Sequence, residues 1–267
     1  MVSYSDNIRD FLKSLDEADH LGNAGNIYYL QFLADENDTY PAGEGINLLA
    51  TCGGTTAVLN CMSLETEQPS VEIWVFGEDA GAAEEILNDC ACRYAGAECH
   101  IHTNNTKLTE QFKARGAKLY DQVAEYLGVG LDFDLSGDIH KLSLDEMSII
   151  SNLVDEQTAM YCGSLPLDND NCTVYGRLMA GSPITICTIE KNDYGYGSIV
   201  EPVWVYTAKT RRRRGWAFRC ISHALYGTTE NCIILYHTDV DNRASMALAE
   251  SLGLKLNNIC YTLAVKL

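Results

Sequence analysis

The chain has 267 residues, enough for one large domain or two small ones, and its 46% hydrophobic and 21% charged content excludes bulk disorder. Asp and Glu number 37 against 19 Lys and Arg, a net charge of −18 that argues against a general binder of nucleic acid or anionic membrane. The charge is unevenly placed. Residues 1–135 carry 7 basic and 23 acidic side chains and residues 136–267 carry 12 and 14, so the halves stand at −16 and −2. Four of those twelve cations are consecutive, Arg211 to Arg214.

In chain order, the spacing of Ile8, Phe11, Leu12 and Leu15 predicts a helix, and Ile27 to Leu33 a second. Asp38 to Gly45 is turn-like. Strands follow at Ile46–Thr51, Thr55–Cys61 and Val71–Phe76, the first two joined through Gly53-Gly54. Ala80–Ala91 reads as a helix, Cys99–Thr103 as a strand, Lys107–Ala114 as a helix ended by Gly116, and Lys118–Tyr126 as a strand. Gly128 to Gly137 lacks periodicity and is taken as a linker, so domains of residues 1–135 and 136–267 are expected. The second begins with a short strand, Ile139–Leu142, and a capping-box pattern, Ser143-Leu-Asp-Glu146, ahead of an apolar helix. Strands at Thr173–Met179, Ile184–Ile189 and Ile199–Thr207, a helix at Gly215–Leu225, a strand at Cys232–His237, a helix at Asn242–Leu252 and final strands in Lys255–Leu267 complete it.

Eleven cysteines, an odd number without regular spacing, fit a reducing cytoplasm better than a disulfide framework. Residues 1–10 do not read as a secretory signal, and no apolar run is long enough to span a bilayer. Cys90, Cys92, Cys99, His100 and His102 cluster in sequence, but no CxxC pair is present, and a strand at Cys99–His102 turns alternate residues to opposite faces. No metal site is expected.

The two halves repeat one order of elements, and the sequence echoes it. Val71-Glu-Ile-Trp74-Val-Phe-Gly77 parallels Val200-Glu-Pro-Val-Trp204-Val-Tyr-Thr207, and His102-Thr103 parallels His237-Thr238. Asn105 and Gly116 share the spacing of Asn242 and Gly253. This reads as an internal duplication. The first copy lacks about the length of the arginine-rich loop, and carries Glu78, Asp79, Glu84 and Glu85 where a polyanion would be repelled.

The segment Val203-Trp-Val-Tyr-Thr-Ala-Lys-Thr-Arg-Arg-Arg-Arg-Gly-Trp-Ala217 runs from a strand through a cationic loop into a helix. A helix N-terminus offers unpaired N–H donors and a positive dipole end, glycine permits close backbone approach, and guanidinium groups bind phosphate oxygens. An exposed basic run used as a solvated face or a nonspecific nucleic-acid contact is the plainer alternative. A second segment, Asn242-Arg-Ala-Ser245…Leu252-Gly253-Leu254, decides between them. Together, Arg212-Arg-Arg-Gly215-Trp-Ala217 and Asn242-x-x-Ser245…Leu252-Gly253-Leu254 resemble the pyrophosphate loop and the later Asn-x-x-Ser…Leu-Gly-Phe element of the GNAT (GCN5-related) N-acetyltransferases. The resemblance covers residues 136–267 and, more faintly, the first half.

What the resemblance implies is an α/β (α+β) protein of two GNAT-like domains, each a mixed, mostly antiparallel central sheet flanked by helices. The arrangement resembles tandem acyltransferases in which one half keeps the chemistry, here the second. It implies acetyl-CoA as co-substrate, with Val205, Tyr206 and Thr207 bonding the pantetheine arm through main-chain groups. Arg212, Arg213, Arg214, Gly215, Trp216 and Ala217 would hold the pyrophosphate, and Asn242 and Ser245 would lie beside the pantetheine or thiol. The reaction would move an acetyl group to a primary amine. Glu201 is the first candidate for general base and His237 the second, while either residue also suits a purely structural role. Three positions depart from the family pattern: Ala249 stands where many members carry a Tyr general acid, Leu254 replaces Phe, and Lys209 replaces a Pro. A CoA-binding or sensing protein without catalysis is the alternative. The acceptor, a small molecule, is left unidentified; the acidic half suits a cationic amine, and residues 155–171 are expected to shape its site, with Tyr161 and Cys162 as lining residues and Asp168 and Asp170 as partners for its positive charge.

Overall fold

The computed structural model describes residues 1–39, 47–62, 70–151, 171–194, 197–226 and 232–266. The chain divides into two compact units: Met1–Glu125 together with Asn258–Leu267, and Tyr126–Asn257. The division expected at 135/136 is linear, whereas this one is not. The last strand, β12 (Lys255–Lys266), leaves the second unit and ends in the first. The end of β6 (Lys118–Val129) belongs to the second.

In the first unit, β1 (Ser3–Ser5), β2 (Asn47–Cys52), β3 (Thr55–Met62) and β4 (Ser70–Phe76) pair antiparallel in order. β5 (Glu98–Thr103) lies parallel to β4, and β12 antiparallel to β5, with Leu263 opposite Ile101. Helices α1 (Ile8–Asp19) and α2 (Ala24–Thr39) precede the sheet, α3 (Ala80–Arg93) connects β4 to β5, and α4 (Thr106–Ala114) follows β5. Polar side chains start three of them: Asn7, Asp79 and Asn105 each accept a hydrogen bond from a backbone N–H of the first turn. The period-two burial of β4 turns Val71, Ile73 and Val75 to a core with Ala83, Ile86 and Cys90 of α3, Cys99 and Ile101 of β5, and Leu263. Glu72 and Trp74 therefore face the opposite side, as do His100 and His102 of β5.

In the second unit, β7 (His140–Lys141), β8 (Cys172–Met179), β9 (Ser182–Tyr194) and β10 (Gly197–Thr207) are antiparallel neighbours, and β11 (Cys232–Asp239) runs parallel to β10. Ala180 and Gly181, both at positive φ, make the two-residue turn from β8 to β9. The capping box forms as the sequence predicts. Ser143 Oγ accepts from Glu146 N at 3.3 Å and the Glu146 carboxylate accepts from Ser143 N at 2.9 Å, starting α5 (Leu144–Ser151). Helices α6 (Trp216–Leu225) and α7 (Arg243–Ser251) follow β10 and β11. α6 buries Cys220, Ile221, Ala224 and Leu225. α5 packs Ile150 with Val174 and Ile186, the side of the sheet that Trp204 and Tyr206 also face. Each unit is thus a mixed, mostly antiparallel sheet flanked by helices.

Candidate active site

The parallel ladder between β10 and β11 is short. It pairs Ser198–Val200 with Cys232–Ile234, and beyond it the strands continue to Thr207 and Asp239 with no further mutual pairing. β10 meanwhile stays paired to β9 as far as Thr207–Thr185. A register shift between Pro202 and Trp204 falls where the strands part; proline has no N–H to give a ladder. In an antiparallel pair alternate residues turn their main-chain groups away from the partner, so the Val205–Thr207 stretch offers such groups on the side that β11 has left.

The cationic loop begins where β10 ends. Lys209–Arg211 form a single 3₁₀ turn, and Arg212 Nε donates to the Thr207 carbonyl at 3.1 Å, tying the loop to the strand. Arg213 (φ 61°) and Gly215 (φ 75°) are both left-handed, and Gly215 is the N-cap of α6 with no side chain to satisfy the first-turn N–H groups. The backbone at Trp216 and Ala217 is therefore an open set of donors beneath exposed Arg212, Arg213 and Arg214. The guanidinium groups of Arg177 and Arg219 each lie over the Trp216 ring, 5.1 and 5.2 Å from its centroid.

The two candidate bases meet. Glu201 Oε1 accepts a hydrogen bond from His237 Nδ1 at 2.7 Å, with side chains 8% and 14% exposed. Glu201 is the first residue of β10 past the ladder, so the pair sits where the strands separate. Glu190 lies directly across from Glu201 in the β9–β10 register and shares its face; Asn192 donates to it at 2.8 Å.

Asn242 caps α7, its Oδ1 accepting from Ser245 N at 3.1 Å. Ser245 Oγ is 2.6 Å from the Tyr236 hydroxyl. Tyr236 is 3% exposed, and burial pushes its phenol above the ordinary tyrosine range. Ala249 is fully buried and offers no hydroxyl. Tyr236 and Glu190 were not singled out by the sequence, because their significance depends on cross-strand register and on a strand-to-helix contact that no local motif encodes. The residues expected at the acceptor site, Tyr161, Cys162, Asp168 and Asp170, lie outside the described residues.

The first unit repeats the pair. Val71 pairs with Cys99 as Val200 pairs with Ile234, and from there Glu72 and His102 stand at the same offsets as Glu201 and His237. His102 Nε2 lies 2.5 Å from Glu72 Oε2, His100 Nδ1 lies 2.8 Å from Glu72 Oε1, and Trp74 stacks on His102 at 4.8 Å. The ladder here does not open at the same point: it continues to Trp74–His102. Just beyond, Asn105 Nδ2 donates to the Gly77 carbonyl at 3.1 Å, joining the chain after β5 to the chain after β4. Cys90 and Cys99 are buried in the core, away from His100 and His102, and no metal-binding group of three or more Cys, His, Asp or Glu occurs among the described residues. No helix among them is long and apolar enough to cross a membrane.

No family model matches the chain, and no curated protein sequence does. Solved structures do. A tandem GNAT protein from the clavulanic acid biosynthesis pathway is 8% identical, with a TM-score of 0.57 over 100% of this chain and 98% of its own. A Drosophila protein is 15% identical, with a TM-score of 0.60 over 99% and 98%. A GCN5-related N-acetyltransferase from Sphaerobacter thermophilus is 10% identical, with a TM-score of 0.55 over 88% and 85%. At such identities the likeness is one of fold: the chain has the fold of the GCN5-related N-acetyltransferases, in the tandem form with one copy in each unit.

Proposed function

We propose that the second unit is an N-acyltransferase that moves an acetyl group from acetyl-CoA to a primary amine. The observation that carries this reading is the opening between β10 and β11, with a cationic helix start at the end of β10 and a buried Glu201–His237 pair where the ladder ends. The guanidinium groups of Arg212 to Arg214 and the N–H groups of Trp216 and Ala217 suit a pyrophosphate. The main chain at Val205–Thr207 would bond the pantetheine amides as a partial third strand, and Asn242, by capping α7, would fix the wall beyond.

Acyl transfer needs a neutral amine. The Glu201 carboxylate holds His237 with Nδ1–H toward itself, so Nε2 is the basic nitrogen of the pair, and the ammonium proton is taken up there or, through water, by Glu201. The amine lone pair then forms a carbon–nitrogen bond at the thioester carbonyl, the carbon–sulfur bond breaks with its electron pair leaving on sulfur, and the nitrogen gives up its second proton to solvent as the amide forms. Glu190 beside Glu201 supports a cationic acceptor, as does the acidity of residues 1–135. The closed β4–β5 ladder supports the reading of the first unit as a copy without a cofactor site, and the free thiols support a reducing, cytoplasmic setting.

Ala249 favours a second reading, a protein that binds CoA without turnover. A thiol-release screen with acetyl-CoA against amino acids, polyamines, aminoglycosides and peptide N-termini separates the two. The proposal expects amine-dependent release of CoA with at least one cationic class, lowered about 100-fold in kcat by Glu201→Gln. Release by no amine across the panel would favour the second reading.

A further inference from the structure

Breaking the thioester leaves a thiolate, which needs a hydrogen-bond donor, and position 249 has none to give. We propose that Ser245 supplies this donor to the sulfur and that Tyr236 is a positioning residue that aims it. The inference rests on the reading of the second unit as an acyl-CoA site.

The direction of the Tyr236–Ser245 bond follows from burial. The Tyr236 hydroxyl carries one proton, and its partner among the described residues is Ser245 Oγ, at 2.6 Å. If Ser245 donated, the phenolic proton would be buried without an acceptor, which native structures avoid. Tyr236 therefore donates, and burial keeps its phenol protonated. Ser245 is half-buried rather than sealed, and its oxygen is occupied by the incoming bond, so its own O–H points away from Tyr236. Place in the fold gives that O–H its target. Tyr236 immediately precedes His237 on β11, on the stretch that has parted from β10, and Ser245 is in the first turn of α7, one helical turn before Ala249. Serine and tyrosine both keep their protons; the sulfur gains a hydrogen bond as its charge develops, and the thiolate takes its proton from solvent after transfer.

The test needs no acceptor. Free CoA is bound to the full-length protein and its thiol titrated by ultraviolet thiolate absorbance, in wild type, Ser245→Ala and Tyr236→Phe, with thermal unfolding confirming that each is folded. A donor at sulfur stabilises the thiolate, so the bound thiol of the wild type ionises about one pH unit below that of Ser245→Ala, tenfold in the equilibrium. Tyr236→Phe keeps the serine but not its aim and falls between them, and Ser245→Thr restores the wild-type value. Equal thiol titrations in wild type and Ser245→Ala, both binding CoA, would overturn the inference and leave the acyl-CoA reading standing. A Tyr236→Phe curve identical to wild type would remove the role of Tyr236. Absence of CoA binding by the wild type would overturn both.

Discussion

Glu72 and Glu201 occupy one register position in two copies of a fold, one residue past Val71–Cys99 and Val200–Ile234, and each meets the histidine three residues past that pair on the neighbouring strand. Their surroundings differ. Glu201 has one imidazole and sits where its strands part; Glu72 has two, on strands that remain joined. In the first unit the carboxylate serves the fold. Burial disfavours its ionised form, and hydrogen bonds from His102 and His100 outweigh that, holding its carboxyl below the ordinary range. A carboxyl depressed on folding contributes stability that is complete above its unfolded value, about 4.3, and is lost as pH falls through the folded value. The excess unfolding free energy of wild type over Glu72→Gln should therefore shrink as pH is lowered from about 6 to 3. Denaturant titrations across that range that keep the difference constant would show that the imidazoles do not hold the charge.

At the scale of elements, the sequence made most helices and strands legible, since caps and alternation are local. The capping box at Ser143, the Gly53-Gly54 turn and the Asn242 cap are all where their residues put them. β1 was not legible: Ser3-Tyr4-Ser5 is too short and polar to show a period and forms by pairing with β2. The end of β6 was hidden by Gly128, which reads as a breaker. Both members of the Glu201–His237 pair could be named from sequence, but their hydrogen bond needed the strand register. The exchange of β12 was illegible in principle, because any apolar strand of that length could close either sheet. It is testable. Leu263 is fully buried in the core of the first unit, 151 residues along the chain from Phe112, the nearest of that core's other buried members. Leu263→Ala should lower stability by about 2–5 kcal/mol, and a loss under about 1 kcal/mol in urea unfolding would mean that β12 is not part of that core.

For the whole molecule, the acidic side chains are concentrated in the first unit, which carries 8 basic and 21 acidic residues, a net of −13, against 11 and 16, a net of −5, in the second. The first unit carries carboxylates at the start of α3, where the second carries Arg211 to Arg214 at the start of α6, and its β4–β5 ladder is closed where β10–β11 is open. On the proposed reading, the absence of a cationic loop and the closed ladder together leave the first unit without a place for a polyanion. On the proposed reading the cofactor binds to the second unit alone, with the cationic turn as its anchor. Isothermal titration of acetyl-CoA into wild type, Arg213→Glu with Arg214→Glu, and Glu78→Gln measures this directly. One site per chain in the wild type, weakened at least about tenfold by the double reversal and unchanged by Glu78→Gln, is the predicted result. No binding, or binding that the double reversal leaves intact, would contradict it.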